Sequence, residues 1–315
     1  MNCLDALSRQ RLPTNQFEVI VVEEGYSADT ERAVRLFADH TGIETRYLPQ
    51  TGQPGLAAAQ NRGWRAARAR VVAFTTDNSM PQPDWLSAAS RSYKRGAQVL
   101  SGQIKMPAIP HYCAASNRTT APVSHADFTA GNCFCLRTAL ERVGGFDEAF
   151  ATAWYGDSDL QFKFIRVGIP ILKCPEAVVI RPSDAATGTV PMPGERNSRH
   201  DALLYKRHPD LFRQRVPPLR GMQRVPPLRG IMIIYYGAVI SAAISVIALV
   251  LFSPATALAF LSIWLLVTLD LFAHQFSADI TLQSVRRAAL IAITTPFSSV
   301  YWRLYGVVKY RTLHF

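Results

Sequence analysis

Residues 231–252, IMIIYYGAVISAAISVIALVLF, contain no charged side chain and no polar stripe. A helix needs about 20 such residues to cross the hydrocarbon of a bilayer, so this stretch must be wrapped either by protein on every side or by lipid. A second apolar run, Pro254 to Phe272, carries one acid, Asp270, near its end. Only Ser253-Pro254 separates the two, which predicts a tight helical hairpin. Two buried soluble helices are the alternative; the lack of a polar face on either run favours membrane spans. Residues 288–300 are also apolar, but the stretch is short and carries Pro296, with Arg286 and Arg287 before it and Arg303 after it. It suits an interfacial helix or a short third span. Basic residues precede the first span and follow the second, which puts both flanks on the cytoplasmic side of a cell membrane.

The net charge of +11 over 315 residues is unevenly spread. Residues 1–204 hold 22 Lys/Arg against 20 Asp/Glu, residues 205–230 hold seven basic residues against one acid, and residues 231–315 hold five against two. The nearly neutral N-terminal part argues against nucleic acid as a partner. The basic stretch beside the apolar runs suits anionic lipid headgroups. It contains a direct repeat, QRVPPLRG at 214–221 and again at 223–230, which reads as a lengthened, proline-stiffened linker. Five scattered cysteines (Cys3, Cys113, Cys133, Cys135, Cys174) have no paired metal spacing and suggest a reducing compartment. Cys133 and Cys135 alternate as packed residues on one face of a strand would. Residues 1–5 lack the charged-then-apolar lead of a secretory signal.

Within residues 1–204 short β-branched runs alternate with helical patterns. Strands are expected at 18–22, 71–76, 98–104, 127–136 and 177–181. Helices are expected at 29–40, with Ala33, Leu36, Phe37 and His40 at helical spacing, and at 56–69, 84–95, 138–143 and 157–167. The alternation predicts an α/β fold, a mostly parallel sheet flanked by helices. The expected organisation is a catalytic-type domain over 1–204, a basic linker over 205–230, a transmembrane hairpin over 231–276, and an interfacial or third membrane helix with a basic tail over 277–315.

Polar residues gather at three element ends. Glu23 and Glu24 follow the first strand, Asp77 and Asn78 end the run VVAFTTDN, and Asp157 and Asp159 open a helix in YGDSDL. Each has a plain reading, as a solvated turn or as acids complementing a helix dipole. Open α/β sheets also bind ligands beyond the carboxyl ends of their strands.

Taken in order, FEVIVVEEG, GLAAAQNRG, VVAFTTDNSMPQPDWL, TAGNCFCLRTALERVGGFDEAF and YGDSDLQFKFIRVG resemble the motifs of the family 2 glycosyltransferases, enzymes of GT-A fold. The resemblance runs from about Cys3 to Pro182. It implies a nucleotide-sugar donor, a hydroxyl acceptor and inversion at the sugar carbon. It gives Asp157 the role of catalytic base. Glu23, Glu24, Asn61, Asp77 and Arg181 become donor-binding positions. Gly145, Phe146, Trp154 and Asp159 become acceptor-side positions, with Asp159 orienting the loop or a sugar hydroxyl. A membrane-proximal or lipid-linked acceptor follows from the apolar tail, in cell-surface polysaccharide or glycolipid synthesis.

The resemblance also implies a divalent cation, Mg²⁺ or Mn²⁺, at an Asp-x-Asp element. Here the two acids of that element align with Thr76 and Asn78, leaving Asp77. A histidine that follows the last strand aligns with Arg181, Gly156 stands where a Glu is usual, and Gln60 stands where an Arg is often seen. A metal site at Asp77 and Asn78 is therefore expected to be weak or absent, with Arg181 suited to meet a diphosphate directly. Family members open with a strand before the segment matching Cys3–Gln10. The sequence starts after it, so two rows of backbone groups are expected to lack partners unless the natural start lies upstream of Met1 or another segment fills the place; otherwise the fold is damaged. The competing expectation is a catalytically impaired relative that binds a nucleotide or a protein partner.

Overall fold

The computed structural model describes residues 2–52, 54–106, 128–150, 155–182, 199–215, 228–251, 253–273 and 282–312. The chain divides into two compact units, one of residues 1–109 with 122–186 and one of residues 110–121 with 187–315.

In the first unit α1 (Asn2–Ser8) precedes β1 (Glu18–Glu24), α2 (Ala28–Thr41), β2 (Glu44–Gln50), α3 (Leu56–Ala66), β3 (Val71–Thr75) and the short β4 (Met80–Pro81). Then come α4 (Trp85–Tyr93), β5 (Val99–Lys105), β6 (Asn132–Leu136), α5 (Arg137–Val143), α6 (Gly156–Arg166) and β7 (Ile171–Ile180). Five strands form one sheet in the order β3-β6-β5-β7-β4, and β1 and β2 form a separate parallel pair. Only β1–β2 and β5–β7 are parallel; β3–β6, β5–β6 and β4–β7 are antiparallel. The α/β class stands, but the sheet is mixed rather than mostly parallel. The cause is β6, which runs against both of its neighbours.

Both faces of β6 are buried. Cys133 and Cys135 enter one apolar cluster with Val72, Phe74, Leu140 and Phe164. Phe134, between them, enters the other with Trp85, Leu100 and Val179. This is the period-two alternation of a strand. The β1–β2 pair shares these cores, since Ile20 packs on the first cluster while Val19 and Val21 belong to the second. Among the described residues β1 nevertheless pairs only with β2, and β3 only with β6. The ribbon is tied down instead by side chains. Arg46 on β2 reaches Glu18 on β1 at 2.7 Å and the Ala66 carbonyl of α3 at 2.6 Å, and the Arg68 N–H donates to Glu18 at 2.8 Å.

Local chemistry sets both ends of α2. Ser27 caps α2 by accepting from the Thr30 N–H at 3.2 Å, and Gly42 closes it in the left-handed region at φ 66°, as helix caps require. The buried face of α2 runs through Val34, 3% exposed, whereas Leu36 is 60% exposed. The spacing located the helix, and Phe37 packs on the second cluster as expected, but Leu36 and His40 fall outside the buried face. β7 is twice the expected strand, beginning at Ile171 rather than Ala177, and Pro175 falls inside it. There the β5–β7 register breaks: Gly102 faces Cys174, but Gln103 faces Val178. The bulge strands carbonyls, and Asn132 satisfies them. Its amide donates to Gln103 O at 3.0 Å and Ala177 O at 2.9 Å, while its own oxygen accepts from the Trp85 indole at 2.8 Å.

The second unit holds α7 (Arg199–Arg207), α8 (Pro209–Arg215), α9 (Leu228–Leu251), α10 (Pro254–Ala273) and α11 (Leu282–Tyr310). Residues 199–215, expected in the first domain and the linker, are helical and belong here; most of the direct repeat lies outside the described residues. Within α9 and α10, residues 233–251 and 254–273 are long and apolar enough to cross a membrane. They pack as a hairpin, with Ser245 Oγ donating to the Ala257 carbonyl at 2.8 Å. The buried positions are small: Ala238, Ser241, Ser245 and Ala248 on α9, and Ala288, Ala292, Thr295 and Ser299 on α11. Large side chains such as Ile233, Val250, Leu266, Leu290 and Ile293 point outward. The expected short stretch 288–300 is the centre of a continuous 29-residue helix that passes through Pro296. Its far end packs on α7. Arg303 pairs with Asp201 at 2.9 Å, Lys206 donates to the Tyr310 carbonyl at 2.9 Å, and Gly306 lets the backbone of Arg199 come close.

Replacing Asn132 by Ala leaves the carbonyls of Gln103 and Ala177 and the buried Trp85 indole N–H without this partner. We expect a loss of about 2–4 kcal/mol of stability, read as a lowered melting temperature of the purified full-length chain in detergent.

Candidate active site

The run of β3 ends in a closed turn. The Ser79 N–H donates to Thr76 O at 3.0 Å, and the Thr76 hydroxyl lies 2.9 Å from Asn78 Oδ1 and 2.7 Å from Ser79 Oγ. The turn delivers the chain into β4, whose Met80 pairs with Ile180 at the end of β7. The next residue is Arg181, whose own N–H donates to the Lys105 carbonyl at 2.9 Å. Its guanidinium reaches Thr76 Oγ1 at 3.3 Å and lies over Gly131, where a side chain of any kind would collide with it. The β3 turn and the end of β7, remote in sequence, thus converge on one cationic group.

Asp157 is the second residue of α6. The residue ahead of this helix, Tyr155, holds φ at 64°, a left-handed conformation that costs a bulky residue of the order of 1–2 kcal/mol. The strain turns the helix start, and with it Asp157, toward the segment ahead of β6. Thr129 Oγ1 donates to the carboxylate at 3.0 Å. Burial raises the Asp157 pKa above the usual carboxylate value, while the Ala130 N–H, the Thr129 hydroxyl and the charge of Arg181 pull it back. A mostly buried carboxylate, hydrogen-bonded on one side and near a guanidinium, is equipped to take a proton.

The other expected positions divide sharply. Glu24 is exposed at the end of β1. Glu23 accepts from Thr30 Oγ1 at 3.0 Å and from the Tyr47 hydroxyl at 2.5 Å, which fastens β1, β2 and α2 together. Asn61 is corrected: it is 1% exposed, donates to Phe146 O at 2.9 Å and Glu148 at 2.7 Å, and accepts from the Trp64 indole at 2.9 Å and the Phe146 N–H at 3.0 Å. An amide has two donor and two acceptor sites, and all are used inside the domain. It has none left for a donor nucleotide.

Phe146 is corrected for a related reason. Its ring is 3% exposed and stands edge-on to Phe74 at 5.4 Å between centroids, so it is core rather than pocket wall. Gly145 is the buried turn residue before it. Asp159 is fully buried and pairs with Lys163 at 3.0 Å, which in turn donates to the Gly145 carbonyl at 3.0 Å. Through Lys163, Asp159 is tied to the turn at Gly145. Trp154 lies outside the described residues.

At the expected metal position Asp77 and Asn78 are both exposed. Asp77 lies in electrostatic reach of Cys3 on α1; burial first, and then this charge, push that thiol up to about 11. Among the described residues no group of three His, Cys, Asp or Glu side chains is placed to hold an ion. With Asn78 turned to Thr76 and a guanidinium beside Thr76, the described residues at the end of β3 do not fit a divalent cation.

Thr129 and Gly131 were missed in the sequence. The motif TAGN contained both, but nothing in it marked one as a hydrogen-bond donor to Asp157 and the other as the floor under Arg181.

Gly145 holds φ at 70°, and a Cβ there would lie 2.6 Å from Asn61 Oδ1 and 2.7 Å from the Trp64 indole nitrogen. Gly145→Ala is expected to cost about 2–4 kcal/mol through strain and the broken amide clamp, measured by thermal unfolding beside the wild-type chain.

Comparison with known proteins bears on the family and the fold. Residues 2–109 match the model of the glycosyl transferase family 2. A curated relative, the glycosyltransferase AglE of Haloferax volcanii, is 30% identical over 101 residues, which are 32% of this chain and 30% of that protein. The chain thus matches less than a third of the relative's length. Among solved structures, the mannosyltransferase PcManGT of Pyrobaculum calidifontis, in complex with GDP-Man and Mn²⁺, superposes with a TM-score of 0.50 at 19% identity over 96% of this chain and 82% of that one. At that identity the likeness concerns the fold. By sequence, residues 2–109 resemble glycosyl transferase family 2, and the fold is GT-A-like.

Proposed function

We propose that the chain is a membrane-anchored, inverting glycosyltransferase that moves a sugar from a nucleotide-sugar donor to a hydroxyl of a lipid-linked or membrane-proximal acceptor at the cytoplasmic face. The observation that carries this reading is Asp157. It stands at a strained helix start, bonded by Thr129 and in the field of Arg181. In the reaction the acceptor hydroxyl gives its proton to Asp157. Its oxygen forms a bond to the anomeric carbon from the face opposite the diphosphate, and the bond from that carbon to the diphosphate oxygen breaks. The negative charge leaves with the diphosphate. Glu24 and Asp77, both exposed at strand ends, are the acids available to the donor's nucleoside side. The structural relative solved with GDP-Man supports a nucleotide-sugar as the donor class. Cell-surface polysaccharide or glycolipid synthesis is the process such an enzyme would serve.

Membrane anchoring is supported by the inverted packing of the second unit, with small residues inside and large apolar residues outside. That arrangement suits helices whose surroundings are lipid and would present a very large apolar surface to water. The excess of Lys and Arg next to α9 supports a cytoplasmic orientation and contact with anionic lipid.

One observation favours the second reading, an impaired relative: β1 and β3 each carry an edge without a strand partner among the described residues. Donor hydrolysis or transfer by the full-length chain in detergent decides between the two. With a panel of UDP- and GDP-sugars we expect turnover by the wild type and a fall of about 10²–10⁴-fold in Asp157→Asn. Nucleotide binding without turnover in the wild type would favour the impaired relative, and equal rates in the two proteins would remove Asp157 as the base.

The pH profile gives an independent check. Asp157 must be ionised to accept the proton, so the rate falls as pH drops through its pKa. Because burial raises that pKa, the acid limb of kcat/KM is expected above the ordinary carboxylate range. Thr129→Val removes a hydrogen bond to the ionised form and should move the limb further up.

A further inference from the structure

The donor's diphosphate carries negative charge that something must meet, and the residues at the end of β3 do not fit a divalent cation. We infer that Arg181 does the cation's work: the guanidinium binds the donor diphosphate and this chain uses no divalent metal for that purpose. The inference rests on the transferase reading and adds how the leaving group is held.

Three features of the place argue for it. The guanidinium sits where the β3 turn, the segment ahead of β6 and the end of β7 meet, 3.3 Å from the Thr76 hydroxyl. Gly131 leaves the room it occupies. Its position is not that of a loose surface arginine, because the backbone N–H of Arg181 is bonded to Lys105 and the residue before it is paired with Met80. A fixed positive charge there repels a divalent ion. The acidic pair that would ligate the ion is also replaced, since Thr76 and Asn78 flank Asp77 and hydrogen-bond to each other, and among the described residues no group of three His, Cys, Asp or Glu side chains is placed to hold an ion. A guanidinium offers planar paired donors that match phosphate oxygens. It is also in electrostatic contact with Asp157, so the group that would hold the leaving diphosphate lies beside the group that would take the acceptor's proton.

The test is calorimetric binding of UDP, GDP and the phosphate-free nucleosides to the full-length chain in detergent, with excess EDTA or with Mn²⁺. The variants are Arg181→Gln and Arg181→Lys, with folding checked by circular dichroism. We expect wild-type diphosphate affinity to be the same in EDTA and in Mn²⁺. Arg181→Gln should weaken it about 10- to 100-fold and leave nucleoside binding unchanged, with Arg181→Lys in between. Diphosphate binding that needs Mn²⁺ and is indifferent to Arg181→Gln would overturn the inference while leaving the transferase reading intact. If Arg181→Gln does not fold, Arg181→Lys and the metal dependence of the wild type decide the matter in the same way. A folded wild-type chain that binds no nucleotide in either condition would remove the nucleotide-sugar reading itself, and this inference with it.

Discussion

Buried carbonyls must find donors, and at the break in the β5–β7 register that requirement falls on a single amide. Pro175 and its neighbours force β7 out of register with β5, and the carbonyls of Gln103 and Ala177 are left facing inward. Asn132, the first residue of β6, answers both and holds the Trp85 indole as well. Gly102 has no side chain because that amide and the Ala177 carbonyl fill the space. The bond network fixes the start of β6 against β7. The residues just before the one, Thr129 to Gly131, and just after the other, Arg181, are thereby held at a set distance. The site is a consequence of how the bulge is closed.

Charge at the site is balanced between opposing effects. Burial disfavours the Asp157 carboxylate, while two hydrogen bonds and one guanidinium favour it, so its basicity depends on the positions of Thr129 and Arg181 as much as on its own. Around this pair much of the polar chemistry is inward-facing. Asn61 clamps the turn at Gly145 and Phe146, Glu23 joins two strands to a helix, and Asp159 works through Lys163. These residues shape the domain that presents Asp157 and Arg181.

The second unit obeys the opposite packing rule from the first. In the first, aromatic and branched side chains fill the interior, as water demands. In the second, alanine, serine and threonine lie between the helices and the large apolar residues face out. Helices in lipid gain little by hiding leucine and more by close backbone approach. The pairing of Asp201 with Arg303 joins α7 to α11, so the segment preceding the hairpin belongs physically to the helices that follow it.

The sequence by itself determined what local chemistry controls. It fixed the alternation of Cys133, Phe134 and Cys135 across two faces, the glycine and serine ends of α2, the length and hairpin of the apolar helices, and the family motifs. Each follows from side-chain periodicity or from backbone preferences within a few residues. Tertiary structure alone decided which polar residues gather around Asp157 and Arg181. Asn61 and Phe146 stand in matching motifs yet turn inward, because a distant turn fills their hydrogen bonds or packs on their rings. Leu36 yielded its place to Val34, and α11 ran on through Pro296, because neighbouring elements decided which side was covered. The meeting of Arg181 with Thr76, Gly131 and Asp157 depends on strand order and on a bulge, neither of which any short stretch of residues encodes.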